Sequence, residues 1–143
     1  MPQLSKPLEN FEKPGIVIRY TIASSTKIYK GSLVALNSAG YAVPLNPATA
    51  SLRFIGVANE TVANPSGGSL IVNVSKSGTF VFPNTGTNAQ SAIGKTIYSN
   101  GDGSVTDSSS GLTNAYAVGT SVAIETASNG EPGLRIRINN HTI

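Results

Sequence analysis

Turn formers break this chain every few residues once Gly15 is passed. Asn37-Ser38-Ala39-Gly40, Asn64-Pro65-Ser66-Gly67-Gly68, Lys76-Ser77-Gly78, Asn100-Gly101-Asp102-Gly103 and Ser128-Asn129-Gly130 are all clusters of residues that tolerate or require turn geometry. The stretches between them are short, and none carries a helical period. Several alternate instead. Ile16, Ile18, Tyr20 and Ile22 interleave with Val17, Arg19 and Thr21. Leu70, Val72 and Val74 interleave with Ile71, Asn73 and Ser75. Leu134, Ile136 and Ile138 interleave with Arg135 and Arg137. Period two is the mark of a strand with one buried face.

The stretch from Ile28 to Ala58 organises the rest. Ile28 to Leu36 reads as a strand, Asn37 to Gly40 as a tight turn, and Tyr41 to Val43 as the return strand, which Pro44 ends because it has no N–H for a ladder. Asn46 to Ser51 is a loop by composition. Phe54, Ile55 and Val57 form a buried strand around Gly56, and a glycine in that position marks a bulge or a close backbone approach. Asn59 to Gly68 reads as loop. Further strands are Thr79–Phe82, stopped by Pro83, then Ile93–Tyr98, Ser104–Thr106 and Ala117–Ile124, with a hairpin turn at Asn100–Gly103. The Asn84–Ala92 loop has room for one helical turn. The expectation is an all-β domain over residues 16–143, a small barrel or sandwich of about nine to ten short strands.

Residues 1–15 differ. Pro2, Pro7 and Pro14 space Leu4, Leu8 and Phe11 among polar residues, a pattern that suits neither a helix nor a central strand. The reading is an extended N-terminal arm that could span about 50 Å. Leu4, Leu8 and Phe11, with Ile16 at its base, are apolar anchors for an ordering contact, and a partner protein is the natural candidate.

Chemistry is poorly supplied. There is no cysteine, and the one histidine, His141, stands near the C-terminus, so thiol catalysis, thiolate metal sites and a Ser-His pair have no basis. The acids Glu9, Glu12, Glu60, Asp102, Asp107, Glu125 and Glu131 fall mostly in arm or turn segments, where solvated or turn-forming carboxylates are the rule, not the desolvated pair of a glycosidase. Asn100-Gly101-Asp102-Gly103-Ser104 with Asp107 faintly resembles a calcium loop, but it lacks the ligand number and the bidentate Glu, and it makes an ordinary hairpin turn. No metal or other cofactor is expected. The net charge of +3 is spread over scattered Lys and Arg, which excludes a nucleic-acid footprint. No apolar run reaches the length of about 20 residues that spans a membrane, and the N-terminus has no apolar signal core. Charged residues make up only 12%, so a surface partly covered by neighbours is expected. Arg135 and Arg137 share one strand face, either solvated or set against an acidic partner.

Lys30-Gly31-Ser32-Leu33-Val34, Gly40-Tyr41-Ala42-Val43-Pro44 and Phe54-Ile55-Gly56-Val57-Ala58, in that order, resemble the small capsid cement, or head decoration, proteins of tailed bacteriophages. The likeness continues through Val72-Asn73-Val74, Ser77-Gly78-Thr79-Phe80, Ile93–Tyr98, Gly103–Thr106 and Val118-Gly119, and so runs from about Ile16 to Ile138. The arm matches no pattern of that family. The resemblance implies a barrel or β-tulip body, often trimeric, on the outer surface of a phage head assembled in the host cytoplasm. There it would bridge neighbouring major capsid proteins against the outward push of packed DNA. Some members use a terminal arm to extend a capsid strand. Two other readings stand beside this one: a carbohydrate- or host-binding module on a virion surface, and a small hydrolase.

Overall fold

The computed structural model describes residues 15–139, and the arm residues Leu4, Leu8 and Phe11 lie outside that range, as does His141. The described residues form twelve strands and no α-helix: β1 (Val17–Thr21), β2 (Thr26–Ile28), β3 (Leu33–Leu36), β4 (Ala42–Pro44), β5 (Arg53–Ala58), β6 (Val62–Asn64), β7 (Ile71–Ser75), β8 (Ser77–Pro83), β9 (Thr96–Ser99), β10 (Val105–Thr106), β11 (Ala117–Thr126) and β12 (Pro132–Asn139). A 3₁₀ turn over Gln90–Ala92 is the helical turn the sequence left room for.

The strands build three antiparallel sheets. One has the order β1-β7-β5-β3-β4, a second β10-β9-β11-β12-β8, and β2 pairs with β6 in a third. None closes into a barrel, which corrects the expected barrel body. Closure stops at single contacts. In the first sheet Ile22, just past β1, meets Ala42 of β4 in one parallel bridge; in the second Asn84, just past β8, meets Val105 of β10 in another. Each sheet therefore curls until its edges touch, and a full ladder never forms.

The strand count exceeds the expectation because two short strands hide in segments with turn composition. Gly31, with φ of +84°, breaks the Ile28–Leu36 run into β2 and β3. β6 lies inside the Asn59–Gly68 segment and pairs with β2 from Thr26↔Asn64 to Ile28↔Val62.

β3 and β5 are buried on both faces and separate two cores. Leu33 and Ala35 point into a larger core with Phe54, Val57, Ile97, Val118, Leu134 and Ile136, and that core fills the space between the two five-stranded sheets. Val34 and Leu36 point the other way, into a smaller core with Ile22, Ile28, Ile55, Ala58, Val72 and Val74. A bulge at Gly56 keeps β5 in step with both. The register moves from Val34↔Gly56 to Ala35↔Phe54, so Ile55 is the extra residue. Phe54 and Val57, three apart, share the larger core, and Ile55 and Ala58, also three apart, share the smaller. Strict alternation would have put each pair on opposite faces.

Gly56 has φ of +143°, and a Cβ built there would run into the Ser75 carbonyl oxygen and lie 2.8 Å from Val74 Cγ1. Replacing Gly56 with Val is expected to cost roughly 3 kcal/mol or more, through backbone strain and a clash with β7 together. Urea unfolding followed by circular dichroism reads this as a lower midpoint at an unchanged slope.

Candidate interaction surface

The two arginines read from sequence lie where period two places them. On β12, Leu134, Ile136 and Ile138 are buried while Arg135 and Arg137 are exposed. Across the neighbouring strands Arg135 stands between Val81 and Ala123, and Arg137 between Thr79 and Thr120. The outer face of the second sheet thus sets two guanidinium groups and the Glu125 carboxylate among small uncharged residues. They are not equivalent. Arg135 is engaged by Glu125, with Nη2 to Oε1 at 2.9 Å and Nε donating to Oε2 at 3.0 Å. This pair is partly exposed and adds little stability, but it occupies the charge. Arg137 has no carboxylate partner among the described residues.

Ile16, the fourth predicted anchor, is 66% exposed. Its carbonyl accepts from the Lys76 amide at 2.7 Å, one residue before β8 begins. Arg137 faces Thr79 on β8, so Ile16 and Arg137 stand about 10 Å apart along that strand. The base of the arm and the unpaired arginine therefore share one end of the molecule. The sequence reading did not single out Val122 and Ile124 on β11, which are also exposed aliphatics. A register shift between Ser121 and Ala123 leaves Val122 as an unmatched residue, and alternation alone does not reveal a bulge.

The remaining polar groups serve the fold. Glu60 accepts from the Asn73 amide and side chain, at 3.1 and 2.9 Å. The Asn100–Ser104 segment is the expected hairpin turn, with the Asn100 amide donating to the Ser104 carbonyl at 3.0 Å. Among the described residues no three His, Cys, Asp or Glu side chains gather around a point that would hold a metal ion. Two open clefts, of about 280 and 470 Å³, lie beside β8 and beside the β3–β4 turn; neither is lined by an acid or a histidine.

Asp107 is the carboxylate most committed to structure. Its side chain is only 6% exposed. Burial pushes its pKa up, but the Thr87 amide, its own amide, the Thr87 hydroxyl and the charge of Lys95 together hold it below the usual carboxylate range. The Thr87 amide donates to Oδ1 at 2.9 Å, while Lys95 is 3.8 Å away and half exposed, so the hydrogen bonds matter more than the ion pair. Asp107 follows β10 and fastens the loop after β8 to it, where the second sheet's edges meet.

A family model described as phage cement protein matches residues 13–138. The chain belongs to that family. No curated protein and no solved structure gives a significant match. The family is structural, and membership gives this cement protein a place on a phage capsid. The matched span covers every described strand except the last residue of β12, and it starts inside the segment read as an arm.

Asp107 also sets an acid sensitivity. Its carboxyl titrates lower in the fold than in the unfolded chain, where such groups take up protons near pH 4. The stabilisation is complete above that pH and is lost as pH falls through the folded value. Asp107→Ala is expected to cost about 1–3 kcal/mol at pH 7, mostly from orphaned loop donors. It should also flatten the decline of melting temperature below about pH 4 relative to the unaltered protein, as thermal unfolding across a pH series will show.

Proposed function

We propose that this cement protein sits on the outer surface of a phage head and clamps adjacent major capsid proteins, stabilising the shell against internal DNA pressure. The observation that carries this reading is the family match over residues 13–138. The chemistry of the body supports it. Glu60, Asp107 and Glu125 are engaged by the fold's own donors, and the outer face of the second sheet offers small side chains suited to close lateral packing.

The grip is assigned to the arm, with Leu4, Leu8, Phe11 and Ile16 as apolar anchors and Arg137, more than Arg135, as a charged contact. An extended arm can add to the edge of a capsid sheet and gain main-chain hydrogen bonds with little demand on sequence. Many copies on one shell act together, so modest affinity per site suffices. The working unit is a homotrimer, as the family resemblance implies.

A carbohydrate-binding role finds less support. Two tyrosines are well exposed, Tyr29 at 54% and Tyr41 at 46%, but they flank β3 at its opposite ends and build no common platform.

Deleting residues 1–14 should leave the body folded and abolish its binding to heads that lack it. Leu4→Ser with Leu8→Ser should weaken binding at least tenfold. Sedimentation of the protein with such heads, and imaging of particles with and without it, reads both; normal occupancy by the truncated chain overturns the assignment of the arm. Heads lacking the protein should also release DNA at a lower temperature.

A further inference from the structure

The chain holds two Asn-Gly pairs, Asn100-Gly101 and Asn129-Gly130, and both lie at hairpin tips, after β9 and after β11. Such a pair carries its own chemistry. Glycine has no side chain to shield its amide nitrogen, and that nitrogen can reach the preceding carboxamide carbon through a five-membered ring. The fold treats the two pairs differently. At the first, the Asn100 amide donates to the Ser104 carbonyl at 3.0 Å, its carbonyl accepts from the Ser104 hydroxyl at 3.2 Å, and its Nδ2 donates to Thr85 Oγ1 at 3.3 Å. The Gly101 amide donates to Ser99 Oγ at 3.2 Å, and the Asp102 carbonyl accepts from the Leu33 amide at 2.7 Å. Gly101 and Asp102 are half-buried.

The second pair is held far less. Asn129, Gly130 and Glu131 are all exposed. The Gly130 amide closes the turn by donating to the Ala127 carbonyl at 2.9 Å, with Gly130 at φ of +87°. A bond at an exposed tip opens more readily than the ladder behind it. Asn129 Nδ2 has no partner among the described residues, while its Oδ1 accepts from the Glu131 amide at 3.1 Å. A donor on that oxygen draws charge from Cγ and steadies the oxyanion that forms when a nucleophile adds there. At Asn100 the side-chain bond runs the other way and holds the nitrogen that would have to leave.

We propose that Asn129 is a site of self-modification, which converts through a cyclic imide to aspartate and isoaspartate. When the turn bond opens, the Gly130 nitrogen attacks Asn129 Cγ and gives its proton to water or hydroxide. The N–Cγ bond forms, the Cγ–Nδ2 bond breaks, and ammonia leaves with a proton from solvent. Water then adds to either carbonyl of the ring. Breaking the new N–Cγ bond gives aspartate; breaking the original peptide bond leaves the chain running through Cγ, as isoaspartate. The sum is water taken up and ammonia released, with no enzyme and no cofactor. Either product carries a carboxylate. Asn129 and Lys30 line the cleft of about 280 Å³ beside β8, which no acid lines. The cleft thus gains an anion, and Lys30 has no ion-pair partner among the described residues. Isoaspartate also lengthens the backbone of the β11–β12 loop, next to the bond from the Ala127 amide to the Glu131 carbonyl.

The test is a time course on the purified full chain in warm, mildly alkaline buffer, independent of any capsid. Digestion after Glu125 parts the two pairs, and chromatography with mass spectrometry tells aspartate from isoaspartate in each fragment. Asn129 should convert faster than Asn100 by about tenfold or more, the ratio that about 1.4 kcal/mol of extra restraint at Asn100 gives. Isoaspartate should be among its products, and Asn129→Gln should remove the conversion from that fragment. The chain unfolded in guanidinium chloride should convert both pairs at similar rates, since no neighbour then holds either. Equal rates in the folded protein, conversion to aspartate alone, or an intact Asn129 after the unfolded chain has converted overturns the proposal. So does a preference for Asn129 that persists unchanged in the unfolded chain, because the fold would then have no part in it.

Discussion

Everything in this molecule hangs on a pair of strands with no solvent face. β3 is buried along its whole length, and β5 is buried from Phe54 to Ala58. Because successive side chains on a strand point to opposite faces, such a pair must serve two cores at once. β3 does so by plain alternation. β5 does so only because the bulge at Gly56 resets its parity, so that each of its large residues meets the partner residue of its own core. The positive φ of Gly56 and its contact with the Ser75 carbonyl are two sides of one requirement: β7 must approach closely just where β5 steps out of register. The first sheet can then curl around the smaller core while its back carries the larger one.

Curling leaves each five-stranded sheet almost closed, and buried polar side chains stand at each seam. At the first, Asn64 donates from its amide to the carbonyls of Ile22, Ala23 and Gly68, and accepts from the Leu70 amide. Ile22 is the residue that bridges to Ala42. At the second, Asp107 holds the loop that follows the bridge from Asn84 to Val105. Both side chains replace ladder bonds that a closed barrel would have made between its strands. No buried side-chain nitrogen or oxygen among the described residues is left without a partner, so incomplete closure brings no penalty of that kind.

The sequence announced much of this and concealed the rest for identifiable reasons. Alternation from Ile18 to Ile22 and from Leu134 to Ile138 gave strand faces correctly, because each of those strands has one wet side, while Ile16, just before β1, is exposed. Gly56 was legible as a bulge because a glycine inside an apolar run has few other uses. β2 and β6 were not legible: three-residue strands among Gly, Asn and Pro carry no period of their own, and only pairing with each other makes them strands. The open form of the sheets was equally hidden. Closure depends on whether the last rungs form, and here Asn64 and Asp107, which read as turn residues, take their place. Of the predicted contact residues, parity placed Arg135 and Arg137 on one face, but that Glu125 would occupy the first could be known only from the register of β11 against β12.

These commitments leave the cement protein with an unusual surface. Glu60, Asp107 and Glu125 are turned to the fold's own donors, which leaves Asp102 and Glu131 as the described carboxylates without a side-chain partner, and Arg137 stands as an unpaired cation of the second sheet's outer face. Adhesion built on this body's own carboxylates would have few of them to use. Backbone groups at strand edges and apolar side chains are better supplied, and both are short-range and weakly sensitive to salt. A shell offers the same neighbours at every equivalent position, so a contact of this kind need be neither strong nor chemically elaborate. It must be repeated in one geometry, and a body held rigid by two cores about a single buried strand pair keeps that geometry the same in every copy.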